Sequence, residues 1–270
     1  MTGNLQLLTD ALARAKQDGR AALITYLPAG FPTVDDGIAA ILATLDAGAD
    51  VVEVGLPHSD PVLDGPVIQT ADDIALRGGV RIADVLRTVR EVHAATGKPV
   101  LVMSYWNPVS RYGVERFARE LAEAGGAGCV LPDLPVAESA QWRRQAAEHD
   151  LATVFVVAPS STDAHLADTV AAGSGFVYAS ALMGVTGARA SVDEAAAVLT
   201  RRLRAITDLP VCVGMGVSDA RQAADVAGFA DGVIVGSALV ATLLDAPGGV
   251  EGRAALTRLT TGLAAGVRAG

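Results

Sequence analysis

Cysteine, histidine, aromatic residues and basic tracts are all scarce in this chain of 270 residues. The two cysteines, Cys129 and Cys212, each fall within an apolar run and read as small buried residues of a reduced, cytosolic protein. The four histidines, His58, His93, His149 and His165, are scattered, and no pair has metal-ligand spacing. The last three fall on or beside helical segments and are expected to be solvated. A net charge of −9 with no basic run argues against a nucleic-acid surface and against anionic membranes. No apolar stretch is long enough to span a bilayer, and Met1-Thr-Gly-Asn-Leu5 lacks the basic and apolar regions of a signal peptide. No Gly-x-Gly-x-x-Gly follows the first strand, which removes the best support for a dinucleotide fold. No Gly-x-Ser-x-Gly elbow is present. No lysine lies at a strand's end, which disfavours Schiff-base aldolase chemistry.

What remains is half apolar, rich in alanine, glycine and valine, and suited to helices packed tightly on a sheet. Residues 4–16 carry a helical stripe of Leu5, Leu7, Leu8, Ala11, Leu12 and Ala15. Strands are expected at 21–27, 51–55, 99–105, 128–131, 152–157, 175–180, 210–214 and 231–235, with helical patterns between them. Thr33 is placed to cap the second helix, Ser191-Val-Asp-Glu194 reads as a capping box, and Ser218 as the cap of a short helix. No linker or composition break interrupts the alternation. Eight strand–helix units in this length point to a (β/α)8 TIM barrel with an extra N-terminal helix, one domain over residues 1–270. Barrel chemistry sits at the C-terminal strand ends, where Glu53, Asp64, Asp133, Tyr178 and several glycine loops would gather.

Glu53 is the anomaly. Within Val51-Val-Glu-Val-Gly55, alternation puts Val51, Glu53 and Gly55 on one face of a strand with no water on either side. A carboxylate there either pairs with a buried Arg or Lys or stays protonated with a raised pKa. Eleven residues on, Asp64 sits in a Leu-Asp-Gly-Pro turn, where aspartate is also a common turn former. Three glycine segments, Gly184-Val-Thr-Gly187, Gly214-Met-Gly216 and Gly236-Ser237, follow strands six, seven and eight. They contain no Lys or Arg, so a phosphate there would be bound by amides and by the hydroxyls of Thr186 and Ser237 at a helix N-terminus. The alternative is that these glycines serve tight turns.

The segment Glu53-Val-Gly-Leu-Pro-His-Ser-Asp-Pro-Val-Leu-Asp-Gly-Pro-Val-Ile-Gln69 resembles the signature of the tryptophan synthase alpha subunit family. The resemblance continues in Tyr105-Trp-Asn-Pro108, Pro132-Asp-Leu-Pro135, Gly184-Val-Thr-Gly187, Gly214-Met-Gly-Val-Ser218 and Asp231-Gly-Val-Ile-Val-Gly-Ser237, nearly the whole chain in order. It implies retro-aldol cleavage of indole-3-glycerol phosphate to indole and glyceraldehyde 3-phosphate, with no cofactor and no metal. Glu53 and Asp64 fall on the family's catalytic acids, and Tyr26 and Tyr178 on substrate-binding positions. Thr186 lies on its closing loop, and Gly187, Gly216, Gly236 and Ser237 match phosphate-binding positions. The implied partner is a beta subunit in an α2β2 complex, which Asp60, Asn107, Asp133 and Pro135 would face. His58 stands where Phe or Tyr is usual, and Leu63, Ala181-Leu182, Pro28 and Phe31 also depart from the common pattern. Other readings are another phosphate-binding barrel of amino-acid biosynthesis, a non-catalytic activating subunit, and a stand-alone lyase.

Overall fold

The computed structural model describes residues 3–61, 63–180, 189–214 and 216–270, with backbone alone for 189–193. In chain order the elements are α1 (Asn4–Gln17), β1 (Ala22–Pro28), α2 (Val34–Asp46), β2 (Val51–Gly55), α3 (Pro66–Arg77), α4 (Ile82–Thr96) and β3 (Val100–Met103). Then come α5 (Trp106–Tyr112), α6 (Val114–Glu123), β4 (Gly128–Val130), α7 (Ala140–Glu148), β5 (Ala152–Val154), β6 (Val156–Val157) and α8 (Asp163–Ala172). The chain closes with β7 (Val177–Ser180), α9 (Arg189–Arg204), β8 (Val211–Gly214), α10 (Ala220–Ala227), β9 (Gly232–Val235), α11 (Ser237–Leu244) and α12 (Gly249–Gly266).

Every strand pairing is parallel, in the order β5-β4-β3-β2-β1-β9-β8-β7-β6. The sheet closes on itself because β5 and β6 are two halves of the fifth expected strand. β5 pairs with β4 and β6 with β7, and the intervening Phe155 turns its carbonyl to the Tyr178 N–H at 3.1 Å. The architecture is the expected (β/α)8 barrel.

Two apolar layers follow from the period-two alternation of the strands. Val52, Val54, Val100, Val102, Val211, Val213, Val233 and Val235 pack outward under the helices. Ile24, Val51, Leu101, Val130, Val154, Cys212 and Ile234 fill the interior, where α1 joins them through Leu8, Ala11, Leu12 and Ala15. The extra N-terminal helix therefore packs its apolar stripe onto the barrel's inner core, and its Leu5 N–H bonds the Asp150 carbonyl at 3.0 Å.

Local chemistry corrects several expectations. Thr33 caps α2 as read, accepting from the Asp36 N–H. Ser218 does not cap α10: Asp219 does, accepting from the Gln222 N–H, while the Ser218 hydroxyl bonds the Gln222 side chain. Helix α9 begins at Arg189, so Ser191 lies inside its first turn rather than at the cap. Strand three stops at Met103, and residues 106–112, which carried no periodic signal, form α5. His93 is half-buried against Gly125, not solvated. Among the described residues no helix is long and apolar enough to cross a membrane.

Leu8 is fully buried. Leu8→Ala should lower the unfolding free energy by about 2–5 kcal/mol in a urea titration. A change below about 0.5 kcal/mol would mean that α1 contributes no packing to the barrel floor.

Candidate active site

Parallel register sets the first acid in place. Glu53 pairs with Tyr26 on β1 and Leu101 on β3, so its side chain enters the barrel interior one layer above Val51. It is fully buried, and neither carboxylate oxygen has a hydrogen-bond partner among the described residues. The alternative of a structural Arg or Lys partner finds no support there. Burial alone pushes Glu53 from the usual carboxylate range up to about 8.

Asp64 reaches the same mouth from the loop between β2 and α3. The Tyr105 hydroxyl donates to Asp64 Oδ2 at 2.9 Å and accepts the Leu63 N–H at 3.0 Å. Gln69 Nε2 donates to the Asp64 carbonyl at 2.8 Å. Burial raises the Asp64 pKa, while the Tyr105 hydrogen bond and the nearby His58 work against it. The two acids therefore differ in kind. Among the described residues Glu53 has no partner to favour its charge, whereas Asp64 keeps a donor that favours its ionised form.

Tyr26 and Tyr178 stand within the field of both acids. The Tyr26 phenol is pushed well up by burial and then by Asp72, Asp64 and Glu53. Tyr178, half-buried, is raised by burial and then by Glu53 and Asp64. Glycines on adjacent strands make room for both rings. A Cβ at Gly55 would strike the Tyr26 hydroxyl, one at Gly236 would stand 3.1 Å from the same ring, and one at Gly214 would strike the Tyr178 hydroxyl. Each ring thus fills the space that a neighbouring strand end leaves empty.

Beside Tyr26, at the end of the neighbouring β9, Gly236 is the N-cap of α11 and Ser237 its first residue, exposed. In the first turn the Leu239 N–H bonds the Gly236 carbonyl at 2.9 Å, which leaves the amides of Ser237 and Ala238 without an intrahelical acceptor. Gly216, also exposed, adopts φ +63°, a backbone geometry that side chains disfavour. Thr186 and Gly187 lie outside the described residues. Asp60, Asn107, Asp133 and Pro135 are all exposed, and Asp133 accepts the Trp106 N–H at 2.8 Å, tying the segment after β4 to the start of α5.

Two residues of this mouth were not singled out from the sequence. Tyr105 holds Asp64, and the available signal was a tyrosine at the end of the third expected strand. Asp72 is buried in α3 at 3 % exposure, and burial raises it to about 7. Its signal was an acid at one of the i, i+3, i+4, i+7 positions Ile68, Ala71, Asp72 and Ala75.

The raised Glu53 pKa has a stability consequence. Between the unfolded value near 4.5 and the folded value near 8, the native state binds the extra proton, so stability falls as pH rises through that window. Glu53→Gln removes the titration. The variant should gain on the order of a few kcal/mol over the parent at pH 9 and lose that advantage near pH 5, read by urea unfolding at both pH values. An equal difference at the two pH values would show that Glu53 titrates normally in the folded chain.

Comparison with known proteins agrees with this geometry. The family model described as tryptophan synthase alpha chain matches residues 12–264. The tryptophan synthase alpha chain of Streptomyces coelicolor is 73% identical over 268 residues, covering 99% of both chains. That of Streptomyces avermitilis is 75% identical over 265 residues, covering 98% of this chain and 96% of its own. A crystal form of Mycobacterium tuberculosis tryptophan synthase superposes with a TM-score of 0.90 at 50% identity, covering 97% of this chain and 98% of that one. With its closed barrel, its paired acids and these relatives, the chain belongs to the tryptophan synthase alpha chain family.

Proposed function

We infer that the mouth bounded by Glu53, Asp64, Tyr26 and Tyr178 is where this chain performs the family's reaction. The chain is a carbon–carbon lyase that cleaves indole-3-glycerol phosphate to indole and glyceraldehyde 3-phosphate, the first half-reaction of tryptophan synthase. The observation that carries the residue assignment is the buried Glu53 carboxyl, without a partner and raised to about 8.

Indole is a poor carbanion leaving group, so the electrons of the breaking bond need a sink. Glu53, protonated near neutral pH, gives its proton to indole C3 and makes an indoleninium. The resulting Glu53 carboxylate takes the proton of the side-chain hydroxyl on the carbon bonded to C3. As that oxygen forms the aldehyde, the carbon–carbon bond breaks and its electrons neutralise the ring nitrogen. One proton enters and one leaves, and Glu53 ends as it began. A group serving both steps needs a pKa near the working pH, which burial supplies. Asp64, ionised and held by Tyr105, stabilises the positive charge developing at the indole N–H.

Tyr26 packs on the indole ring, and Tyr178 lines the space between the acids and the barrel interior. The phosphate is held by the backbone at Gly216, Gly236 and Ser237; Thr186 and Gly187, which the family resemblance adds to this set, lie outside the described residues. Affinity for the phosphate thus comes from amides and a helix dipole rather than from a cation. No cofactor or metal takes part in these steps.

The exposed Asp60, Asn107, Asp133 and Pro135 form the rim that would meet a beta subunit, in an α2β2 complex where indole passes to a pyridoxal-phosphate site and joins serine. Asp64 and Asp60 of the rim share the β2–α3 loop, which supplies a route by which partner binding sets the position of Asp64. Residues 1–270 are taken as one barrel domain, working in the cytoplasm.

Glu53→Gln and Asp64→Ala should each lower kcat for indole release by at least about 100-fold, with the fold intact by circular dichroism. Ser237→Glu should instead raise KM by about tenfold or more, because a carboxylate would occupy the anion site. Substantial turnover by Glu53→Gln would remove Glu53 from the proton-transfer role. Addition of a beta subunit should accelerate the parent chain, and no acceleration would favour a stand-alone lyase.

A further inference from the structure

Helix α3 turns four residues toward the protein interior: Ile68, Ala71, Asp72 and Ala75. Three are apolar and the fourth is an acid at 3 % exposure. No cation of its own helix compensates it, since Arg77 is paired with Asp73 at 2.9 Å on the exposed face. Among the described residues, Asp72 Oδ1 has no hydrogen-bond partner. Asp72 Oδ2 accepts one bond, a long one of 3.4 Å from the His58 N–H. A leucine at this position would be the cheaper choice for the fold.

The His58 N–H belongs to the loop that carries Asp64. The His58 ring lies against the Tyr105 ring, with centroids 5.1 Å apart and planes tilted by 32°. Tyr105 in turn bonds both Asp64 and the Leu63 N–H. The loop is therefore held at its start by Asp72 and near its end by Tyr105, and ring contact joins the two anchors. Burial, against the pull of the His58 N–H and with the charge of Asp64, raises Asp72 to about 7.

We propose that Asp72 is a positioning residue for the lyase, acting through the backbone of His58 to hold the β2–α3 loop so that Asp64 stays on Tyr105. The proposal rests on the reading of Asp64 as the acid that stabilises charge at the indole nitrogen. A loosened loop misplaces Asp64 in the transition state, while the phosphate remains anchored at the N-terminus of α11, on a different loop. The loss therefore falls on kcat and spares KM.

The test uses the full chain with its beta subunit and three variants, Asp72→Leu, Asp72→Asn and Asp64→Ala. Leucine has the branched shape of aspartate, fills the buried site and accepts no hydrogen bond. Asparagine keeps an oxygen for the His58 N–H without a charge. Asp72→Leu should melt no lower than the parent, lose kcat by about tenfold or more with KM within about threefold, and exchange amide hydrogens faster between β2 and α3. Asp72→Asn should recover most of that kcat and the slow exchange. A stable Asp72→Leu with parental kcat and exchange, beside an inactive Asp64→Ala, overturns the positioning role alone. An Asp72→Asn variant as impaired as Asp72→Leu also overturns it, because the acceptor would then not be what matters. Full activity in Asp64→Ala would instead overturn the reading of the site on which the proposal rests. If Asp72→Leu does not fold, the proposal stands or falls on Asp72→Asn, which must keep both kcat and protection.

Discussion

One carboxyl buried without a partner is the constraint around which this barrel is arranged. Glu53 lies on a strand whose five residues are all buried, and neither of its oxygens meets a donor among the described residues. Ionising it there is costly, and no cation among the described residues relieves the cost. The same burial that costs stability near pH 9 would suit the group to the proposed proton transfer near neutrality. Closure of the sheet through β5 and β6, and the packing of α1 on the inner core, build the dry interior in which such a pKa is sustained. Stability and reactivity are therefore set against each other at this position, as they commonly are at catalytic acids.

The second acid is managed differently. Asp64 is on a loop, and its position depends on bonds from Tyr105, from Gln69 and, more distantly, on the bond between Asp72 and His58. Its charge is favoured by a hydroxyl donor, whereas that of Glu53 meets no donor among the described residues. Two carboxyls of similar intrinsic acidity thereby differ in the way the proposed mechanism requires, one to move a proton and one to hold a negative charge. The glycines at the ends of β2, β8 and β9 complete the arrangement by leaving space for Tyr26 and Tyr178.

Much of this was legible in the sequence because the signals were local. Period-two valine runs marked the strands, and an acid inside one of them marked Glu53. Gly236 and Ser237 announced a helix start, and the structure places α11 there. What was hidden depended on partners distant in the chain. The bond between Tyr105 and Asp64 spans 41 residues, so no window of sequence contains both. Asp72 stands on the stripe of Ile68, Ala71 and Ala75 while Asp73 does not, but the bond that gives it a purpose is to His58, 14 residues away on another element. The break at Phe155 between β5 and β6 reflects the bending of a strand to close the sheet, which residue type alone does not encode. Capping residues were misplaced by one position at Asp219 and by the start of α9 at Arg189, since Ser, Thr and Asp compete for the same role.

The central claim is that Glu53 carries a proton at neutral pH because of where it is buried. The direct measurement is its carboxyl pKa, from the pH dependence of the carbonyl-stretch infrared difference between the parent chain and Glu53→Gln. The carboxyl should stay protonated through pH 7 and titrate near 8. A Glu53 that is already ionised at pH 5 to 6 in the folded chain would contradict it, and proton delivery to indole C3 would then need another donor.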